Sequence, residues 1–242
     1  MSLKLTLGEV AKLLNVSTDT LRRWDKSGIL TAERSNKLSG HRHYSNESLE
    51  TYLYDNIFKF CYKWATRKMG QEPPSIFYCQ NSSIFQARLS KMEAELMKTD
   101  SLKDIYSLLV AITGEIGNNA FDHNLGNWSD ISGLFFGYNL KSRQIVLADR
   151  GQGLYKTLKR VKPEIKDDQE ALKTAFTEII SGRAPENRGN GLKYVRRVVE
   201  MIPIELYFKS GNAELTLTKN DSKVKPRQAQ KRMLGCLALI KF

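Results

Sequence analysis

Two β-rich runs, ISGLFFGYNL and RQIVLAD, are joined by only Lys141-Ser142. So short a connection forces antiparallel pairing, because a parallel crossover needs a dozen residues or more. Three further strand-like runs, IELYF, AELTLT and CLALIKF, follow toward the end of the chain. Before and between the runs lie helical patterns: 81–98 is amphipathic, and 101–125 spaces Ile105, Leu108, Leu109, Ile112 and Ile116 along a helix. Helices are also predicted near 169–181 and 191–201. Helices combined with a mixed, mostly antiparallel sheet predict an α+β two-layer sandwich rather than a doubly wound fold.

The N-terminal stretch has a different grammar. In LTLGEVAKLL, residues 5–14, Leu7, Val10, Ala11 and Leu14 share one helical face, and Thr6 with Glu9 fits a capping box. Asn15-Val16-Ser17 reads as a tight turn, with Ser17 capping a second helix, Thr18 to Lys26, that Ser27-Gly28 ends. Two short helices across such a turn make a helix-turn-helix. Ser39-Gly40 marks a hairpin in the polar stretch Thr31 to Ser45, which predicts a small β-wing. Asn46 to about Lys68 is helical again, until Gly70 to Pro74 breaks the pattern. These signals predict two domains, 1–70 and 75–242. The aromatic helix before the break carries Tyr52, Tyr54, Phe58, Phe60, Tyr62 and Trp64, more than one buried face requires. It reads as an interface, either to a second copy or to the following domain.

Charge narrows the partners. The formal net charge of +12 favours a polyanion, either nucleic acid or nucleotide phosphate, although solvated surface lysines account for many basic proteins. Up to residue 69 there are twelve Lys or Arg against seven Asp or Glu, so the N-terminal stretch carries part of the excess. No apolar run reaches membrane-spanning length, and the N-terminus lacks the pattern of a secretory signal. A cytoplasmic protein with no membrane association is expected. Cys61, Cys79 and Cys236 include no Cys-x-x-Cys, which implies buried thiols rather than a disulfide framework or a zinc site.

Three segments carry candidate chemistry: EIGNNAFDHN at 115–124, DRGQG at 149–153 and NRGNGLKYV at 187–195. Glu115 and Asn119 are four residues apart and share a helical face. An ionised Glu suits a base that orients water, and an Asn carbonyl is a neutral oxygen ligand for Mg²⁺; taken alone, the pair also fits a solvated face. Asp149 ends a predicted strand. Gly151 and Gly153 allow close backbone approach and positive φ, as a plain turn would also want. Gly189 and Gly191 precede a helix whose N-terminus can cradle phosphate, with Arg183, Arg188 and Lys193 nearby to neutralise charge. His123 reads as structural.

Together, in this order, the three segments resemble the GHKL ATPases, the gyrase, heat-shock, histidine-kinase and mismatch-repair family, over about residues 100–242. The resemblance implies a bound ATP with Mg²⁺. Glu115 would be the catalytic base, Asn119 the Mg²⁺ ligand and Asp149 the acceptor of the adenine amino group. Gly151, Gly153, Arg188, Gly189, Gly191 and Lys193 would complete the nucleotide site. The family's last strand often begins Gly-Thr with the Thr near adenine; here Gly235-Cys236 stands in that place. The stretch from Gly153 to Gly189 would form a mobile lid.

Residues 5–45, notably LGEVAKLLNVSTDTLRRWDKSGIL and GHRHYS, resemble the winged helix-turn-helix of the MerR and excisionase-like group. In such modules the second helix enters the major groove of double-stranded DNA and the wing contacts the backbone. Ser17, Thr18, Thr20, Arg22 and Arg23 are the exposed candidates on that helix, with Leu21 and Trp24 as core. The arginines could take guanine edges or phosphates, and Arg42 and His43 in the wing suit phosphate. The resemblance also implies a homodimer on a palindromic site. Three functions stay open: a regulator in which the ATPase module controls DNA binding, an anti-sigma-like serine/threonine kinase acting on a partner protein, and a nucleotide sensor that does not hydrolyse.

Overall fold

The structure, a computed structural model, describes residues 4–34, 40–178, 191–221 and 223–242. They form two compact units, Met1–Ile57 and Phe58–Phe242.

In the first unit, β1 (Lys4–Thr6) leads into α1 (Leu7–Leu14), α2 (Thr18–Lys26), β2 (Glu33–Arg34), β3 (Arg42–Ser45) and α3 (Asn46–Asp55). The sequence signals act as expected at the helix starts. Thr6 and Glu9 form the capping box, Thr6 N–H donating to Glu9 Oε2 at 2.7 Å and Glu9 N–H to Thr6 Oγ1 at 3.3 Å. Ser17 caps α2 and Ser45 caps α3. The three strands pair antiparallel in the order β1-β3-β2, so the wing hairpin is tied back to the start of the chain. Val10, Leu14, Leu21, Leu30, Tyr44, Leu49 and Leu53 fill the core, and Trp24 lies half-buried against Tyr52.

The second unit begins within α4 (Ile57–Ala65) and continues with β4 (Tyr78–Cys79), α5 (Ser82–Met97), a 3₁₀ turn (Asp100–Leu102) and α6 (Tyr106–Asn124). There follow β5 (Leu134–Asn139), β6 (Gln144–Asp149), α7 (Gly153–Lys159), α8 (Asp168–Thr177) and α9 (Gly191–Met201). Last come β7 (Glu205–Ser210), β8 (Ala213–Thr218), β9 (Arg227–Gln228) and β10 (Cys236–Lys241). The seven strands run β4-β5-β6-β10-β7-β8-β9, every neighbouring pair antiparallel. Alternate residues of the strands, among them Leu134, Phe136, Ile145, Leu147, Leu206 and Phe208, meet α5, α6, α8 and α9 in one core. Among the described residues no helix is long and apolar enough to cross a membrane.

The break between units falls at Ile57/Phe58, whereas the sequence pointed to Gly70–Pro74. The predicted helix Asn46–Lys68 is interrupted at Asn56, and its aromatic second half belongs with the sheet. Phe60 packs on Phe77 and Phe135, Trp64 on Phe135, and Phe58 meets Tyr207 edge-on at 5.9 Å. Thus α4 covers part of the sheet face opposite the main helical layer, a third layer that the two-layer expectation did not include. The described part of the stretch expected as a lid holds two helices. It folds as α7 and α8 around Leu158, Ile165 and Ala171.

The C-terminal end of α4 is fastened by Arg150, whose side chain is fully buried. Its Nη1 donates to the Trp64 and Ala65 carbonyls and its Nη2 to that of Arg67, all at 3.0 Å. Nε and Nη2 grip the Asp130 carboxylate, the shortest contact being 2.6 Å. Removing the guanidinium takes the cation from the Asp130 carboxylate, which keeps the Ile131 N–H, and leaves three helix-end carbonyls without their side-chain donor. Arg150→Ala is therefore expected to lower the unfolding free energy by about 3–5 kcal/mol, measured by urea titration with tryptophan fluorescence. A loss below about 1 kcal/mol would show that water replaces the guanidinium at little cost.

Candidate functional site

One cavity in the second unit lies between the helical layer and the sheet. It is lined by Asn119, His123 and Asn124 from α6, Asp149 at the end of β6, Gly153, Leu154 and Leu158 from α7, Gly191 from α9 and Cys236 from β10, among others. Ile116, Leu134, Leu147, Phe208 and Leu237 make its walls largely apolar.

Asp149 is the charged group of this cavity, 4% exposed. Its Oδ1 accepts the Gly151 N–H at 2.8 Å and the Asn124 Nδ2–H at 3.2 Å, and its Oδ2 accepts the Cys236 N–H at 3.1 Å. Burial pushes its pKa up to about 6, while these three donors pull the other way. Among the described residues no cation offsets the burial, and Arg150, the next residue, is turned to Asp130 and α4.

The glycines of DRGQG serve different ends. Gly153 adopts φ +75°, where an L side chain is strained. Gly151 does not have positive φ; it is needed for space, since a Cβ there would lie 2.1 Å from the Asn124 amide. Below them Ser210 ties α7 to β10, accepting the Leu154 N–H at 2.9 Å and donating to the Gly235 carbonyl at 3.1 Å. Cys236 reaches Asp149 through its backbone N–H, so the weak thiol does not have to make that contact. Its side chain is half-buried, whereas Cys61 and Cys79 are buried as expected.

The first and third segments also meet. A Cβ on Gly191 would lie 2.5 Å from Glu115 Oε2 and 3.3 Å from Asn119 Nδ2, so the start of α9 rests against the Glu115/Asn119 face of α6. Asn119 lines the cavity half-buried, whereas Glu115 is exposed and is not part of the lining. Lys193 does not line it either: its ammonium donates to the Glu178 carbonyl. Arg183, Arg188 and Gly189 lie outside the described residues. His123, read from sequence as structural, lines the cavity and accepts Gln152 Nε2–H at its carbonyl at 3.0 Å.

Sequence reasoning passed over Asn124. It closes the EIGNNAFDHN segment, is 4% exposed, and bonds Asp149, the Gln152 N–H at 2.8 Å and the Ala120 carbonyl at 2.8 Å. The signal was present: 112, 116, 120 and 124 follow one i+4 ridge, and its last member is polar where the others are apolar.

In the first unit a groove brings Arg22 of α2 beside Gly40, His41, Arg42 and His43. Arg22 and Arg23 are exposed; Arg22 pairs with Asp19 at 2.5 Å and Arg23 donates to Thr20 Oγ1 at 3.3 Å. Ser17 and Thr20 are engaged in the α2 cap, and Thr18 is half-buried. Arg42, expected to reach phosphate, spends its Nε on Asp25 at 2.7 Å. The nearly buried Asp25 carboxylate also takes Arg34 at 3.1 Å and the Ala32 N–H at 3.0 Å, which locks the wing to α2. These donors hold the Asp25 carboxyl below the usual carboxylate range, although burial is the largest influence and opposes them.

Residues 6–44 match the MerR family regulatory protein family, so the first unit is built around a MerR-type helix-turn-helix. No curated protein matches the chain. Among solved structures, the 43K ATPase domain of Thermus thermophilus gyrase B in complex with an aminocoumarin is similar at 15% identity with a TM-score of 0.34. The match covers 54% of this chain and 32% of that one, so the chain spans about a third of that structure's length.

The raised pKa of Asp149 makes a prediction for the ligand-free protein. A folded value of about 6 lies above the unfolded carboxylate value, so the native state holds the proton more tightly. The stability from this group is complete below about pH 4 and is lost as pH rises through about 6. Asp149→Asn should therefore gain stability relative to the parent protein between about pH 4.5 and 7.5, on the order of 2 kcal/mol. Urea titrations at the two pH values measure the difference.

Proposed function

We propose that this protein is a DNA-binding regulator whose second unit binds ATP with Mg²⁺ in the cavity beside Asp149. The observation that carries the reading is that the three segments converge: Asn119, Asp149, Gly153 and Gly191 line one cavity, with Glu115 against Gly191. The fit to ATP can be argued group by group. The apolar walls suit a purine ring, and the Asp149 carboxylate suits an exocyclic amino donor. Asn119 offers one neutral oxygen, in keeping with a cation that arrives with its phosphates and keeps most of its other ligands. Gly191, the first described residue of α9, lines the cavity, and a helix start of this kind suits phosphate.

In this reading Mg²⁺ neutralises phosphate charge when bound. Glu115, close to Asn119 yet open to solvent, orients water as a base. Gly151 and Gly153 let the backbone approach the base and ribose, and Arg188, Gly189 and Lys193 surround the phosphates. Lys193 must leave the Glu178 carbonyl to do so. In the first unit α2 enters the major groove, with Ser17, Thr18, Thr20, Arg22 and Arg23 at the DNA. His43 and the part of Arg42 not held by Asp25 lie along the backbone. A homodimer on a palindrome, with nucleotide biasing DNA binding, completes the proposal.

The test is selection of a randomised duplex library by the purified protein without nucleotide, with Mg-ATP, and with Mg-ATP on Asn119→Ala. An enriched palindrome that depends on ATP, with at least about ten-fold weaker enrichment for the variant, is expected. Absence of enrichment in every condition would overturn the regulator reading. Transfer of label from ATP to a partner protein would then favour the kinase, and binding with negligible turnover the sensor.

A further inference from the structure

We propose that Asn124 is the positioning residue of the base-binding carboxylate: its amide holds Asp149 ionised and aimed, and so sets preference for a 6-amino over a 6-oxo purine. The inference rests on the ATP reading of the cavity.

The geometry leaves Asn124 little else to do. Both N–H groups of its amide are used, one on Asp149 Oδ1 and one on the Ala120 carbonyl, and its Oδ1 accepts the Gln152 N–H. Rotating the amide by half a turn would set its oxygen against Asp149 Oδ1 and the Ala120 carbonyl, and its NH₂ against the Gln152 N–H. All three contacts would become repulsive, so the donor points at Asp149 in one orientation only. With no N–H left over for a ligand, Asn124 acts through Asp149. It also grips both sides of the turn that Gly151 makes, and a Cβ on Gly151 would collide with the amide.

This donor matters because, among the described residues, no cation pairs with Asp149. Three neutral N–H groups there oppose its burial, and Asn124 supplies the one that comes from a side chain. Loss of that donor favours the protonated acid. An ionised Asp149 accepts from the amino group at purine position 6 and repels a carbonyl oxygen there; a protonated one can donate to that carbonyl. Asn124 therefore tunes which purine the cavity prefers, and the preference depends on pH. Among the described residues, His123 from α6 and Cys236 from β10 are the other titratable groups lining the cavity. Burial and the Asp149 charge raise the Cys236 thiol, to which the charge of Asp168 from α8 also extends. These groups, and the phosphates, are common to parent and variant, so a ratio between the two proteins cancels their own titrations.

The experiment is calorimetric titration of the full chain with Mg-ATP and Mg-ITP from about pH 5.5 to 8.5, for the parent and Asn124→Ala. ATP affinity of the variant should fall by about ten-fold at pH 7, with the deficit shrinking toward pH 8.5, and the ATP-over-ITP preference should drop. A deficit equal at every pH with an unchanged ATP/ITP ratio would reduce Asn124 to a packing role and overturn the inference, as would an unaltered affinity. Should Asn124→Ala fail to fold, Gly151→Ala displaces the same amide without removing it, and the same outcomes apply. A parent protein that binds neither nucleotide would overturn the ATP reading itself, an outcome distinct from binding that ignores Asn124.

Discussion

The buried guanidinium of Arg150 ties distant segments of the second unit together. Arg150 has five N–H bonds and all five find acceptors: the Asp130 carboxylate and the carbonyls of Trp64, Ala65 and Arg67. Taking a guanidinium out of water is tolerable only with this degree of satisfaction. The guanidinium also lies 5.9 Å from the Trp64 ring centre, which adds a contact between the cation and the aromatic face. A helix end, the loop at Asp130 and the end of β6 are thereby held by one side chain.

Because Asp149 and Arg150 are neighbours at the end of a strand, their side chains go to opposite sides. The carboxylate faces the cavity with three neutral donors from the described residues around it, and the guanidinium faces α4 with its charge spent on Asp130. Had the arginine turned inward, it would have neutralised the carboxylate and lowered its pKa. The separation keeps an acceptor in the cavity without an internal cation competing for it. In the first unit Asp25 plays the inverse role, a nearly buried anion that gathers Arg34 and Arg42 and fixes the wing.

Legibility in the sequence followed the range of the interaction. Caps at Thr6, Ser17 and Ser45 involve neighbours three residues away, and the helix starts at the first two were read correctly. The hairpin across Lys141-Ser142 was equally local, and its antiparallel register is as expected. Asp149 drew attention through the resemblance carried by DRGQG, a pattern five residues long at the end of a strand. Arg150, one residue further on, was passed over: its partners are 20 and more than 80 residues away, and nothing local distinguishes it from the other arginines. The division between compact units falls away from the sequence break for the same reason. Gly70–Pro74 is the stronger local break, but Phe60 and Trp64 are claimed by Phe77 and Phe135, a contact no periodicity reveals. Asn124 was legible only as an anomaly, a polar residue ending an apolar ridge.

The strand order carries a consequence for how the cavity comes into being. β10, last among the strands in the chain, lies in the middle of the sheet between β6 and β7. Until it inserts, β6 lacks its second neighbour, Asp149 lacks the Cys236 donor, and Ser210 has no Gly235 carbonyl to hold. Pairings this distant in sequence are slow to close, since the chain between them must be ordered before the contact repays it. During synthesis the ribosome releases the helix-turn-helix long before the centre of the sheet exists. The cavity is thus a late product of folding, and a newly made chain can display its first unit before the walls of the cavity in the second have closed.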